Sequence, residues 1–456
     1  MSNPILVPEL LELIEAADKS KLQEVAEALH PAEMANFVAA LKDEDIWRFF
    51  ALFPKAEAAE VFSHFELERQ VDLASDANRH AMARMLEELP HDDRADLVNK
   101  LDPKIVEQIL PLVARAERED IRNLASYPEG TVGAIMSSDY AMLRPEMTVS
   151  ESLQQIRMQA PSRETIYYIY VVDAQHRLIG FVSLKDLILA KPTELVSDVM
   201  YREVIYAVAN GDQMSAAHQI EKYDLLALPV IDENQRLAGI VTVDDIIDVQ
   251  EAEATEDFHR IGGTDLADVN LKEASLGLMY RARLPWLLAL VFVNVFSGAG
   301  IEHFQNVIAD TAMLSVLVTF LPLLIDSGGN AGSQASTLMV RALAVGDVRM
   351  RDWFGLLRKE VVISLLLGVT MAAGAMAIAG WRAANIVVPV GLAMVSIVLF
   401  GSLIGMSLPF LLTRLKMDPA TASSPLITTL ADIGGVFIYY GIAAWWINRA
   451  LPVAGA

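Results

Sequence analysis

The sequence predicts a multi-domain membrane protein in four parts: an all-α acidic superhelical N-domain, an α/β tandem repeat pair, a long connecting helix and a five-helix transmembrane domain. Three observations carry this prediction. Charge and hydropathy split sharply along the chain, an internal repeat aligns without gaps, and long apolar runs are confined to residues 284–448.

The chain has 456 residues, with 36 Lys and Arg against 59 Asp and Glu, a formal net charge of −23. Residues 281–456 hold eleven basic and eight acidic side chains, a net +3, while the first 280 residues hold 25 basic and 51 acidic ones, a net −26. An acidic part joined to an apolar part with few charges is the pattern of a soluble domain attached to a membrane domain. The acidic surface excludes nucleic-acid binding by charge and favours cations as small partners, with a merely soluble surface as the plain alternative. The absence of cysteine excludes disulfides and thiolate metal sites. The start, "MSNPILVPELLELIEAADKS", is acidic and amphipathic, with no basic region ahead of an apolar run, so no signal peptide is expected.

Residues 1–130 are expected to form the helical domain. The segments "LHPAEMANFVAAL", "LFPKAEAAEVFSHF", "LPHDDRADLVNKL" and "LDPKIVEQILPLV" each place Pro near a helix start and apolar residues three or four apart. Such short hairpins bury their faces against neighbours in a superhelix.

Residues 131–248 carry the repeat. "YVVDAQHRLIGFVSLKDLI" (170–188) aligns on "PVIDENQRLAGIVTVDDII" (229–247), matching Val171 to Val230, Asp173 to Asp232, Arg177 to Arg236, Leu178 to Leu237, Gly180 to Gly239, Val182 to Val241 and Asp186 to Asp245. Each copy predicts a strand, a polar turn, a second strand with Gly-x-Val-Ser/Thr, and a helix starting at the Asp. The pattern resembles a tandem pair of CBS modules, which regulate an attached enzyme or transporter. The acidic, proline-free run "VDDIIDVQEAEATEDFHRIGG" follows, so residues 249–275 are assigned to the connecting helix, with Gly262 and Gly263 as its stop.

Residues 276–456 form the predicted membrane domain, with apolar segments at about 284–301, 311–345, 359–380, 386–412 and 424–448; a span needs roughly 20 apolar residues. Arg281 and Arg283 precede the first segment, Arg341, Arg349, Arg351, Arg358 and Lys359 lie between the second and third, and Arg414 and Lys416 lie between the fourth and fifth. Arg382 and Arg449 fall on the other side. The positive-inside rule then places the N-terminus in the cytoplasm and the C-terminus outside, in a multi-pass protein of the cytoplasmic membrane.

Two carboxylates fall within apolar segments. Asp432 lies in "SSPLITTLADIGGVFIYY", at a cost of about 2.5–3.5 kcal/mol for a charge at the centre of a membrane helix. Pro425 removes a backbone donor, Ser424, Thr428 and Thr429 supply oxygens, and Gly434 and Gly435 allow close helix approach. Asp326 begins "DSGGNAGSQAST", whose paired glycines are expected to loosen the helix while Asn330, Ser333 and Gln334 line it. Polar groups at membrane depth survive only where protein or water covers them. An all-oxygen lining favours a hard divalent cation, and Mg²⁺ suits one or two carboxylates because it keeps several waters. One Asp per chain suggests two chains sharing a site on a two-fold axis.

Together with "DVQEAEATEDFHRIGG", "PLLIDSGGNAGSQASTLMVRALA" and "DPATASSPLITTLADIGG", these features resemble the MgtE-type magnesium transporters over essentially the whole chain. The resemblance implies a homodimeric Mg²⁺ channel, with Asp432 as the central pore carboxylate. It implies a cytosolic Mg²⁺ sensor at Asp92, Asp96, Asp224, Asp245, Asp248, Glu253, Glu256, Asp257 and Asp418, closing the path when internal Mg²⁺ is plentiful. It also implies ATP at the CBS pair, with Tyr168, Lys185 and Asp186 at matching positions. The chain departs from the family pattern at Ser424 and Ser333, where Asn is common, at Met214, where an acid is common, and at Lys185, where Arg is common. A Na⁺- or H⁺-coupled secondary transporter is the alternative, disfavoured by the lack of an inverted repeat; a membrane-anchored nucleotide sensor is a third class. With no nucleophile–base pair, P-loop or histidine cluster, an enzyme is not expected.

Overall fold

A computed structural model describes residues 6–160, 163–264, 275–308, 311–345, 347–382 and 384–450. The chain divides into two compact units, residues 1–250 and 251–456.

The first unit opens with short helices in succession: α1 (Leu6–Glu15), α2 (Lys19–Ala28), α3 (Pro31–Val38), α4 (Asp43–Leu52), α5 (Lys55–Ser63), α6 (Leu67–Asp76), α7 (Arg79–Leu86), α8 (His91–Lys100), α9 (Pro103–Ile109) and α10 (Arg115–Leu124). Local chemistry sets their starts. Pro31 and Pro103 occupy first-turn positions, and the Asn78 and Asp102 side chains accept from His80 N at 3.0 Å and Lys104 N at 2.8 Å. No single helix here is stable alone. The faces that hold them together meet in a core that includes Phe49, Phe50, Phe62 and Phe65, with Phe50 edge-on to Phe62 at 5.8 Å.

The repeats fold as two three-stranded sheets. The first orders β1 (Tyr140–Leu143), β2 (Thr165–Val172) and β3 (Leu178–Ser183); the second orders β4 (Ala207–Val208), β5 (Ala227–Ile231) and β6 (Leu237–Thr242). In each, the first two strands are parallel and the last two antiparallel. Helices α11 (Val149–Gln159), α12 (Leu184–Leu189), α13 (Val196–Val199) and α14 (Gln213–Tyr223) complete the pair. The copies also exchange backbone bonds, Leu178 N to Gln235 O at 3.2 Å and Leu237 N to His176 O at 3.0 Å. The matched glycines have a shared reason. A Cβ on Gly180 would meet Tyr201 O and Met200 Sδ, and one on Gly239 would meet Ser137 O and Met136 Sδ.

The helix starts differ from the sequence expectation. α12 begins at Leu184 and α15 (Val243–Ile261) at Val243, ahead of Asp186 and Asp245. Ser183 caps α12 by accepting from Asp186 N at 3.0 Å, and Asp245 accepts from Thr242 N at 2.9 Å and Thr242 Oγ1 at 2.7 Å. Each matched acid therefore bonds the Ser or Thr three residues before it at the helix entry. α15 runs unbroken from the second repeat to Ile261 and stops at the glycines, Gly263 taking φ +68°. Residues 265–274 of the connecting segment lie outside the described residues.

The second unit contains α16 (Leu276–Val307), α17 (Thr311–Ala344), α18 (Trp353–Arg382), α19 (Val387–Arg414) and α20 (Ser424–Ala450), at the positions of the five apolar segments. Among the described residues, Leu276–Gln305, Met350–Trp381, Ala384–Arg414 and Ser424–Ile447 are long and apolar enough to cross a membrane. α17, with 34 residues, carries the polar run in its middle.

That run does not loosen α17, which stays helical through Gly328 and Gly329. The glycines serve packing instead. A Cβ on Gly401 would strike the Gly328 carbonyl, one on Gly405 would strike the Gly332 carbonyl, and one on Gly332 would stand 2.7 Å from Gly401 O. Small residues four apart on both helices let the backbones touch. Gly434 similarly admits the Phe400 ring. Gly405→Val is expected to destabilise the full chain by about 1–3 kcal/mol through overpacking. Gly441→Ala, where the added methyl meets nothing within 4 Å, should leave thermal unfolding in detergent unchanged or slightly improved. Equal melting temperatures for the two variants would refute the seam.

Candidate functional site

In the second unit, α17 and α20 present facing polar stripes. Asp326, Asn330, Ser333 and Thr337 recur at helical spacing on α17, and Ser424, Thr428 and Asp432 do so on α20. Ser333 Oγ lies 3.4 Å from Thr428 Oγ1 and 3.5 Å from Ser424 O, and Gly329 lets Thr428 approach. Thr428 and Thr429 hydroxyls donate to the Ser424 and Pro425 carbonyls, both at 2.9 Å; Pro425 lies in the first turn and does not break α20. Asp326 accepts from the Asn330 amide at 3.0 Å, so its partner is a side chain one turn along. Asp432 is half-buried, one turn beyond Thr428. In the single chain Asp326, Asn330, Gln334 and Thr337 are exposed.

A second group of acids gathers in the first unit. Asp92 and Asp96 of α8 share a neighbourhood with Asp93, Glu164 and Asp245. Burial comes first and the neighbouring carboxylates second in pushing Asp92, Asp93 and Asp245 well above the usual carboxylate range. Burial and then Asp245 and Asp244 lift Glu164 to about 7. Asp96 rises to about 6 by burial, with Lys100 opposing and Glu129 and Asp245 adding. Among the described residues no three His, Asp or Glu side chains converge closely enough to hold one metal ion. Asp224 is exposed, closing α14 with φ +50°, and Asp248 is exposed on α15. Met214 is packed against the core of the second repeat.

Sequence reasoning missed Asp93, Glu164 and Asp244. Asp93 adjoins Asp92 in "HDDRADL", a signal that was available; Glu164 precedes β2 and has no local pattern tying it to α8. It also missed the frame that holds α8. His91 bridges Asp120 at 2.9 Å and Asp139 at 2.8 Å, and fully buried Arg94 pairs with Glu117 and Asp120, each at 2.7 Å. Burial opposes the charge of His91, but the two carboxylates outweigh it and lift its pKa to about 9. Burial likewise opposes charge on Asp120, yet His91, Ser138 and Arg94 hold it down to about 2.

In the second unit, Glu253, Glu256 and Asp257 lie on α15, with Asp257 raised by burial and then by Glu253. Arg260 pairs with both Glu256 and Asp418, so a guanidinium joins α15 to the loop before α20. Asp418 also caps its own turn through Ala420 N at 2.7 Å.

At the CBS cleft, a cavity of about 130 Å³ is lined by Tyr168, Tyr170, Phe181, Glu203, Ile205 and Pro229 among others. Phe181 stacks on Tyr201 at 5.2 Å. Asp186 is engaged by Ser183 at 2.5 Å and Lys185 is exposed.

Comparison with known proteins gives this geometry its context. The chain is 40% identical over 442 residues to the magnesium transporter MgtE of Thermus thermophilus, covering 96% of this chain and 98% of the relative. It belongs to the MgtE family of magnesium transporters. The MgtE proteins of Enterococcus faecalis and Bacillus subtilis are 34% and 31% identical, covering 96% and 97% of this chain and 96% and 98% of theirs. The divalent cation transporter family model matches residues 321–442, the MgtE intracellular N domain 29–130, and the CBS domain 132–192 and 196–252. Among solved structures, the soluble part of a magnesium transporter matches at 35% identity and TM-score 0.52, covering 54% of this chain and 98% of that one. The cytosolic domain of the Mg²⁺ channel MgtE in complex with ATP matches at 40% identity and TM-score 0.50, covering 54% and 100%.

The acidic group of this family member makes a pH prediction. Carboxylates with raised pKa keep protons in the folded state that the unfolded chain has released, so folded stability falls as pH rises from about 4 to about 8. Without divalent cations, the melting temperature of the full chain should drop between about pH 5 and pH 8, and Asp93→Asn should flatten the drop. A slope unchanged by Asp93→Asn would count against mutual repulsion as its source.

Proposed function

We propose that the chain is a Mg²⁺ channel of the cytoplasmic membrane, a homodimer of five-span subunits with the N-terminus cytoplasmic and the C-terminus outside. The observation that carries this is the exposed polar stripe of α17. Asp326, Asn330, Gln334 and Thr337 occupy the middle and inner part of a helix packed among membrane-length apolar ones, yet face outward in the single chain. Lipid does not accept such groups; water in a path shared with a second copy does.

Asp432 is the ligand that holds the hydrated ion, with Ser424, Thr428, Ser333 and Asn330 meeting its water shell and Asp326 concentrating cations nearby. Mg²⁺ as cargo suits this sparse all-oxygen set because it sheds few waters. The cytoplasmic acids form the sensor: Asp92, Asp96, Asp224, Asp245 and Asp248 in the first unit, and Glu253, Glu256, Asp257 and Asp418 in the second. Asp93 and Glu164 belong with the first group. Desolvated carboxylates repel until a divalent ion neutralises them, so bound Mg²⁺ favours the drawn-together, closed arrangement. ATP occupies the CBS cleft, its base against Tyr168 and Phe181 and its polar groups toward Lys185 and Asp186. At about 130 Å³ the cleft is below the roughly 300 Å³ of an ordinary ligand pocket, so Tyr168 or Phe181 turns aside on binding.

Asp432→Ala should abolish Mg²⁺ uptake into Mg²⁺-starved cells while the purified protein still elutes as a dimer. Undiminished uptake would sink the pore assignment, and uptake requiring a Na⁺ or H⁺ gradient would replace the channel with a coupled transporter. Replacing Asp245 and Asp248 together by Asn, which retains hydrogen-bonding capacity beside Thr242, should raise open probability in patch recordings at millimolar internal Mg²⁺. Unchanged gating would remove these two acids from the sensor.

A further inference from the structure

The region where α18, α19 and α20 diverge leaves a cavity of about 540 Å³, lined by Trp353, Ile404, Leu408, Phe410, Leu411 and Arg414 among others. That volume lies within the roughly 300–1,000 Å³ of ligand-binding cavities. Apart from Ser407 and Arg414 its side chains are apolar or aromatic. Phe410 is buried beneath it, whereas Leu411 and Arg414 are exposed. Among the described residues no carboxylate lies within ion-pair distance of Arg414. Met350, which also lines the cavity, stands between Arg349 and Arg351; Asp352 bonds the Arg349 backbone and lies 3.9 Å from Arg351 Nε.

We propose that this cavity seats an anionic phospholipid of the inner leaflet, its phosphate on Arg414 and an acyl chain along Trp353, Ile404 and Leu411. The inference rests on the membrane topology proposed above. Guanidinium groups bind phosphate through paired charge-assisted hydrogen bonds. Tryptophan favours the headgroup level, and basic pockets between membrane helices on the cytoplasmic side take acidic headgroups. A second copy seated here across a two-fold axis would bring the same arginines toward each other, a repulsion that an anionic lipid does not meet. Leu430, two residues before Asp432, lines the same cavity. A bound lipid therefore braces the helix that carries the proposed ion ligand.

Native mass spectrometry of the full-length protein, released from detergent with phosphatidylglycerol or phosphatidylcholine of matched chains, tests this without relying on transport. Phosphatidylglycerol should be retained in preference to phosphatidylcholine. Arg414→Gln should lower its retention roughly fivefold or more, as expected for loss of a charge-assisted phosphate contact, without changing phosphatidylcholine adducts. Arg449→Gln, at the other end of α20, should bind as the unmodified protein does. Equal retention of the two lipids, or full retention by Arg414→Gln, would overturn the proposal. So would an Arg414→Gln shift in the dimer–monomer ratio with lipid binding intact, which would assign the cavity to a second copy. Asp432→Ala should keep its phosphatidylglycerol adducts, so failure of the channel assignment and failure of the lipid site give different results.

Discussion

A carboxylate withdrawn from water keeps its charge only where a cation or a set of donors replaces the lost solvent. Much of this molecule is arranged around carboxylates for which such replacement is incomplete. In the first unit, Asp92, Asp93, Asp96, Glu164 and Asp245 are drawn into one neighbourhood and raise one another's pKa. A short distance away, Asp120 and Asp139 are satisfied by His91, Arg94 and Arg163. The satisfied set is a frame that fixes α8 against α10 and the start of the repeats. The other set, held in place by that frame, has mainly carboxylates for neighbours, relieved in part by Thr242 at Asp245 and by Lys100 at Asp96.

The second unit shows the same contrast at smaller scale. Arg260 supplies a cation to Glu256 and Asp418, while among the described residues no ion pair reaches Asp432 on α20 or Asp326 in the polar stripe of α17. The position of that stripe depends on the contact between α17 and α19. Because Gly328 and Gly332 meet Gly401 and Gly405 backbone to backbone, one face of α17 is committed to its neighbour. Its polar face then turns elsewhere, toward Thr428 on one side and to an exposed surface of the single chain on the other.

Much of the architecture was legible in the sequence because it rests on local patterns. Helical periodicity with Pro starts marked the short helices, the ungapped repeat marked the two sheets, and the five apolar runs marked the long helices. Asp432 stood out because a lone carboxylate in an apolar run is costly wherever the helix lies. The glycines of "DSGGNAGSQAST" were misjudged for the complementary reason. A Gly pair taken alone lowers helix propensity, and only the partner helix reveals that the missing side chains make room for another backbone.

The sequence by itself determined the order of helices and strands, where the long apolar runs lie, and where charge is concentrated, since these follow from interactions a few residues long. The tertiary structure decided which charges meet. Glu164 reaches the acids of α8 across some seventy positions, and Arg260 finds Asp418 across 158. No spacing rule encodes such pairings, because they are fixed by the packing of whole elements, and electrostatic coupling depends on distance in space and on burial.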